Sequence, residues 1–177
     1  MYNPSRFAGG NISRGAGMTQ IIEGAFFEQI SSAFRENDPD VLSKRRETDH
    51  VRCVQLLYHA IARGAFAESL ELVTDDFELE IYGPPQSPFN GKWQGREDVL
   101  AAMQRNFGML ENQRPVVQSV VAQGNMVIIT ACEDGRVRTT GKTYQVQWMQ
   151  EFTFSSDGRV KKVRELVDGS ADFELDQ

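Results

Sequence analysis

A chain of 177 residues is long enough to bury a substantial core and too short for two domains of ordinary size, so one domain with an appended segment is expected. Its 40% hydrophobic and 25% charged content excludes a disordered or fibrous protein, and a formal net charge of -6 without a long Lys/Arg stripe gives no electrostatic basis for nucleic-acid binding. No apolar run approaches the roughly 18 residues that span a bilayer and the N-terminus lacks an uninterrupted apolar h-region, so a cytoplasmic protein with no membrane partner is expected.

Residues 1–18 are rich in Gly, Ser and Asn without periodicity and read as a flexible tail; their glycines follow no strand and precede no GK[ST], so they form no phosphate loop. Ile22, Phe26, Ile30 and Ala33 then recur at helical spacing until "ENDPD", giving an extra amphipathic helix and linker over 19–48, with "KRRE" at 44–47 as a solvated stretch. A folded domain is expected over 49–172 and a short tail over 173–177. Its first helix runs from about Asp49 to Arg63, with Val51, Val54, Tyr58 and Ile61 on one stripe and Gly64 just past its end. His50, at the start of that helix, is expected in solvent, and His59 on its flank. Cys53 and Cys132 are far apart and follow no metal-ligand spacing, so reduced core thiols are expected, with no disulfide and no metal site.

Phe66, Leu70 and Val73 mark a short helix closed by "TDD", and "FELEIY" at 77–82 alternates as a strand. Three prolines exclude regular structure from "GPPQSPFNGKWQG" at 83–95. Val99, Met103, Phe107 and Leu110 outline a third core helix. From Pro115 the period becomes two, with strands expected over 115–122, 125–133, 136–154 (broken near "TTGK") and 159–168, joined by turns "QGN", "EDGR" and "SSDG". Helices first and antiparallel strands last predict an α+β domain, one curved sheet with helices on one face.

Within "YQVQWMQEFTF", Tyr144, Val146, Trp148, Gln150, Phe152 and Phe154 share one face, and Gln150 is the polar intruder. If Asp157 and Gly158 are the centre of a two-residue type I′ turn, Ser156 faces Arg159. Phe152 then faces Val163, Gln150 faces Glu165 and Trp148 faces Val167, while Glu151 meets Arg164 on the other side. The two polar residues on apolar faces thus meet each other. An inward Glu must be paired, neutralised or wetted by a cavity, and desolvation would bring its pKa toward neutrality, where a carboxyl can take and return a proton. A purely structural Gln–Glu hydrogen bond is the competing reading.

The order of "LLYHAIARGAFAESLELVTDDFELEI", "GKWQGREDVLAAM" and "YQVQWMQEFTFSSDGRVKKVRELVD" resembles the SnoaL-like branch of the nuclear transport factor 2-like superfamily over roughly 50–170. The resemblance rests on Tyr58, Ala60 and Gly64; Gly95, Arg96 and Glu97; Trp148 and Phe152; Asp157 and Gly158; and Arg164, Glu165 and Asp168. It implies a conical fold, three helices on a strongly bent antiparallel sheet around an apolar cavity, and a homodimer built through the sheet's outer face. It also implies cofactor-free acid–base chemistry on small hydrophobic molecules in the family's enzymes, beside many non-catalytic binders.

Ketosteroid isomerases of the superfamily place their base at the end of the first strand, where this chain has Ile81 and Tyr82, so that reaction is disfavoured; the neutral oxyanion aspartate, a standard example of a carboxyl kept protonated, corresponds to Gln150. Glu165 is left as the candidate acid–base group, with Gln150 and Tyr58 as donors and Asp168 as a second acid suggested by polyketide cyclases. Trp148, Phe152, Tyr82, Trp93, Met103 and Phe107 are candidate substrate-binding walls, with Phe89 and Trp93 near the cavity's opening. No nucleophile elbow is present and no cysteine–histidine pair stands out. The expected function is binding of a small hydrophobic ligand with cyclase, dehydratase, isomerase or epoxide-hydrolase chemistry, needing no cofactor; the alternative is a non-catalytic ligand-binding or protein-interaction module.

Overall fold

The computed structural model describes residues 45–168; the helix expected over 19–35 and both tails lie outside them. Helix α1 (Arg45–Ala62) is followed by a one-turn helix α2 (Phe66–Ser69), a 3₁₀ turn (Leu70–Leu72), strands β1 (Val73–Tyr82) and β2 (Gly91–Gln94), helix α3 (Arg96–Gly108), and strands β3 (Leu110–Gln123), β4 (Met126–Val137), β5 (Thr143–Phe154) and β6 (Val160–Val167). The strands form one curved, unclosed sheet in the order β2-β1-β6-β5-β4-β3, antiparallel except where β1 runs parallel to β6. Helices α1 and α3 pack on its inner face, α1 over β3 and β4 and α3 over β1 to β3. This is the α+β architecture expected from the sequence. No helix among the described residues is long and apolar enough to cross a membrane.

Alternation builds the core. Val127, Ile129 and Ala131 of β4 are fully buried, and Val146, Trp148, Phe152 and Phe154 of β5 lie beside them under Val54 and Tyr58 of α1. At the end of α1, Gly64 adopts φ +68, its N–H donates to Ile61 O (2.9 Å), and the Ala65 N–H donates to Ala60 O (2.9 Å). That pattern closes a helix on a left-handed residue, which glycine supplies without steric cost. At its other end the buried Glu47 carboxylate accepts the Gly124 N–H (2.8 Å), tying α1 to the β3–β4 turn. Arg96, one residue into α3, donates to Val73 O (2.6 Å) and pairs with Asp75 (2.9 Å), fixing α3 against β1.

Five local expectations are corrected. "TDD" does not close a helix: β1 starts at Val73, because Val73 and Thr74 are both buried and continue the sheet. Residues 91–94, past the last proline of their loop, form strand β2 against β1, with Trp93 opposite Leu79. His50 is buried rather than solvated, its ring stacked on Phe154 at 4.0 Å. Strand β3 begins at Leu110, five residues early, by passing through a bulge at Asn112 (φ 54), a left-handed position that asparagine tolerates. "EDGR" is not a turn: Asp134 and Gly135 pair with Gln145 and Tyr144 inside β4–β5. A Cβ on Gly135 would lie 2.6 Å from the Tyr144 hydroxyl, so this glycine serves a close approach instead of a reversal.

The β5–β6 hairpin reaches the expected register by a different route. Ser155 pairs with Arg159, the Gly158 N–H donates to Ser155 O (3.0 Å), and only Gly158 of the turn has positive φ (+82). This is a three-residue loop ending in a left-handed glycine, not a two-residue type I′ turn. It shifts the pairing by one residue, to Phe154↔Val160, which alone would turn the inward set of one strand outward. A bulge at Lys161 restores it: Thr153 pairs with Lys162, and Gln150 stands opposite Glu165.

Candidate active site

Between the inner face and the helices lies a cavity of about 180 Å³. Its walls are largely apolar: Leu57 and Ile61 of α1, Val99, Met103 and Phe107 of α3, Phe77, Leu79 and Ile81 of β1, and Trp148 and Phe152 of β5. Phe89 of the β1–β2 loop closes part of it.

Three polar side chains from separate elements meet on one wall. The Tyr58 hydroxyl of α1 donates to Gln150 Oε1 of β5, and Gln150 Nε2 donates to Glu165 Oε2 of β6 at 3.0 Å. Parity explains the meeting: Gln150 and Glu165 are inward residues of paired strands, and Tyr58 lies on the buried stripe of α1 with its ring edge-on to Phe152. The amide cannot titrate, and accepting from Tyr58 polarises it toward donation. Among the described residues no other donor reaches Glu165. Enclosure by protein pushes its carboxyl up to about 7; the Gln150 hydrogen bond pulls the other way and the Glu133 carboxylate adds to the rise. Desolvation wins because a single neutral donor returns less than the lost hydration. Glu165 is half-buried and lines the cavity. Burial, then Glu165 and Glu133, hold the Tyr58 hydroxyl well above its ordinary pKa, so it stays a proton donor in hydrogen bonds.

A second carboxyl, not singled out in the sequence, lines the same cavity. Glu133 Oε1 accepts from the Tyr144 hydroxyl (2.6 Å) and from Gln113 Nε2 (3.0 Å), and Glu133 Oε2 accepts from Trp148 Nε1 (3.3 Å). Three donors thus converge on one carboxyl, and none of them is charged. The Tyr144 hydroxyl is driven far up in pKa by burial first and by Glu133 second. Gln113 Oε1 is buried without a partner, an omission that costs about 1–3 kcal/mol when nothing fills it. The signal for Glu133 was parity: it continues the inward series Val127, Ile129, Ala131, but "EDGR" read as a turn ended the strand there.

Of the other expected site residues, Trp148, Phe152, Met103 and Phe107 line the cavity and three do not. Tyr82 points to the outer face, 39% exposed, because its inward neighbour is Ile81; its hydroxyl donates to Glu80 (3.1 Å). Trp93 sits on the edge strand under the Arg105 guanidinium, 5.5 Å from the ring centre, outside the lining. Asp168 is exposed past the end of β6, its backbone N–H donating to Gln147 O (2.8 Å). His59 stays off the cavity, half-buried on α1, its pKa lowered chiefly by desolvation. Among the described residues no three His, Cys, Asp or Glu side chains gather as a metal-ligand set.

Comparison with known proteins agrees with this architecture. No functionally curated protein matches the chain. Among solved structures, a nuclear transport factor 2-like protein from Burkholderia xenovorans is 25% identical with a TM-score of 0.60, over 69% of this chain and 91% of that one. A candidate SnoaL-like polyketide cyclase from Jannaschia is 22% identical with a TM-score of 0.61, over 70% and 88%. Bal32a, from a soil-derived mobile gene cassette, is 23% identical with a TM-score of 0.60, over 70% and 92%. The last two likenesses speak for fold alone. The sequence profile of the SnoaL-like domain matches residues 54–163, a stretch that carries Tyr58, Glu133 and Gln150 and stops two residues short of Glu165. The chain therefore belongs to the SnoaL-like family, within the nuclear transport factor 2-like superfamily.

Proposed function

We propose that this SnoaL-like domain binds a small hydrophobic molecule in its cavity and moves a proton on it without a cofactor, with Glu165 as the acid–base group. The observation that carries the reading is Glu165 itself: a carboxyl lining an apolar cavity, brought near neutral pKa and oriented on one oxygen by Gln150. A group with that pKa exchanges protons in both directions at neutral pH, which cyclisation, dehydration, isomerisation and water addition all require. Tyr58 and Gln150 supply the hydrogen-bond chain that holds it.

Size narrows the ligand. About 180 Å³ exceeds the roughly 150 Å³ that holds a benzene ring and falls below the roughly 300 Å³ at which pockets for drug-sized ligands begin. One- or two-ring molecules suit that space better than a steroid, and the apolar Ile81 at the isomerase base position argues the same way. Screening one- and two-ring ketones, enones and epoxides for turnover, then repeating the assay with Glu165→Gln, tests the proposal. A fall in kcat of about 100-fold or more with little change in KM is expected. Turnover undiminished by that substitution would overturn the acid–base assignment.

A homodimer through the outer face of the sheet is part of the same proposal. Val116, Val121 and Leu166 are 44%, 49% and 41% exposed there, flanked by the half-buried Ile128 and Met149. An apolar band of this kind on a sheet face is characteristic of an interaction surface.

A further inference from the structure

Glu133 and Gln113 are not used by the chemistry proposed for Glu165, and together they describe what they lack. Glu133 is held by three neutral donors, Tyr144, Trp148 and Gln113, and no Lys, Arg or His is among the residues that line the cavity. A carboxylate lining an apolar cavity is compensated best by a positive partner, and none of the described lining residues supplies one. The second observation is independent of that charge. Gln113 is 8% exposed, lines the same cavity, and leaves Oε1 without a hydrogen-bond partner. The amide cannot be turned to relieve this, because its oxygen would then face the Glu133 oxygen that Nε2 now meets at 3.0 Å. This end of the cavity thus presents a carboxylate and an orphan carbonyl side by side, bounded by the rings of Tyr144 and Trp148.

We infer that this end is the seat of a protonated amine, and that the ligand is a one- or two-ring molecule carrying a primary or secondary ammonium group. The inference rests on the cavity being a small-molecule site, as proposed above. A hydroxyl has one proton and satisfies one of the two acceptors. An ammonium has at least two, one for Glu133 and one for Gln113 Oε1, and carries a positive charge, which makes a hydrogen bond to the carboxylate charge-assisted on both sides. An anionic head group at the same place would face Glu133 with no cation to screen it.

Calorimetric titration of the full chain at pH 7.5 with 2-phenylethylamine, 2-phenylethanol, 3-phenylpropanoate and toluene tests this. The amine is expected to bind about tenfold or more tightly than the alcohol, and the carboxylate more weakly than either. In Glu133→Gln the preference for amine over alcohol should fall to about twofold or less while alcohol binding changes little. Gln113→Met, which keeps the side-chain length, should weaken the amine several-fold and the alcohol less, and provides the same test should Glu133→Gln fail to fold by circular dichroism. An amine that binds no better than the alcohol, or a preference unchanged in the folded variants, overturns the amine seat while toluene binding upholds the cavity. If none of the four molecules binds, the cavity reading itself fails and this inference falls with it.

Discussion

At the scale of single residues, Glu165 ties the stability of the fold to pH. Its carboxyl sits near 7 in the folded chain against an ordinary value of 4.5, so the folded state holds the proton more tightly. Below about pH 4.5 both states are protonated and the residue costs nothing. Between there and about pH 7 the unfolded state loses its proton first, so stability falls as pH rises, and above 7 the full cost of about 3 kcal/mol persists. Glu165→Gln should match the parent at pH 4 and exceed it by up to about 3 kcal/mol at pH 8, measured by urea denaturation. Parallel pH profiles would mean that Glu165 is not desolvated. Tyr58→Phe should cost about 1–2 kcal/mol, since it leaves the Gln150 carbonyl without the donor it accepts from. The pairing of Gln150 with Glu165 was legible in the sequence because inward parity is a local property of a strand. Glu133 was hidden by one glycine: Gly135 between acidic and basic residues looks like a turn, and its need for closeness to the Tyr144 hydroxyl is visible only once β5 lies beside β4. Gln113 was hidden for a related reason, lying in the "NQRP" segment that the bulge at Asn112 converts to strand.

At the scale of elements, the two β-hairpins that frame the site depend on irregularities. The β5–β6 register survives a three-residue loop only because the Lys161 bulge cancels its one-residue shift. Sequence reading arrived at the register through a turn type that is absent, since two compensating departures leave the same pairs opposite each other. The β4–β5 pair depends on Gly135: Gly135→Ala places a methyl 2.6 Å from the Tyr144 oxygen. Tyr144 must then move, which should destabilise the fold by about 1–3 kcal/mol and loosen the hydrogen bond to Glu133, a change visible in the thermal midpoint and in near-ultraviolet circular dichroism. Trp93 was expected on the cavity because family resemblance places its loop near the opening, and Tyr82, at the end of the first strand, was expected among the same walls. Strand alternation turns Tyr82 outward, and pairing at the sheet edge holds Trp93 outside the lining.

At the scale of the whole molecule, helix stripes, a switch to period two and the order of the elements were enough to read an α+β domain with helices on one face of a curved sheet, because each follows from burial on one face, while the cone was what the family resemblance implied. The surface is less legible, since alternation tells which side chains point outward and not what they meet. If the apolar band on the outer face is the dimer interface, Val121→Glu, beside Ile128, should convert the protein to a monomer in light scattering while leaving the cavity intact; an unchanged dimer would place the interface elsewhere. The site itself joins Glu165, the Gln150 amide that donates to it and a second carboxyl, Glu133, in a small apolar space. Its central requirement is that Glu165 share its proton near neutral pH. A ¹³C NMR titration of the Glu165 carboxyl, assigned by its loss in Glu165→Gln, measures this directly. A midpoint near pH 7 is predicted, and a midpoint near 4.5 would contradict the acid–base assignment.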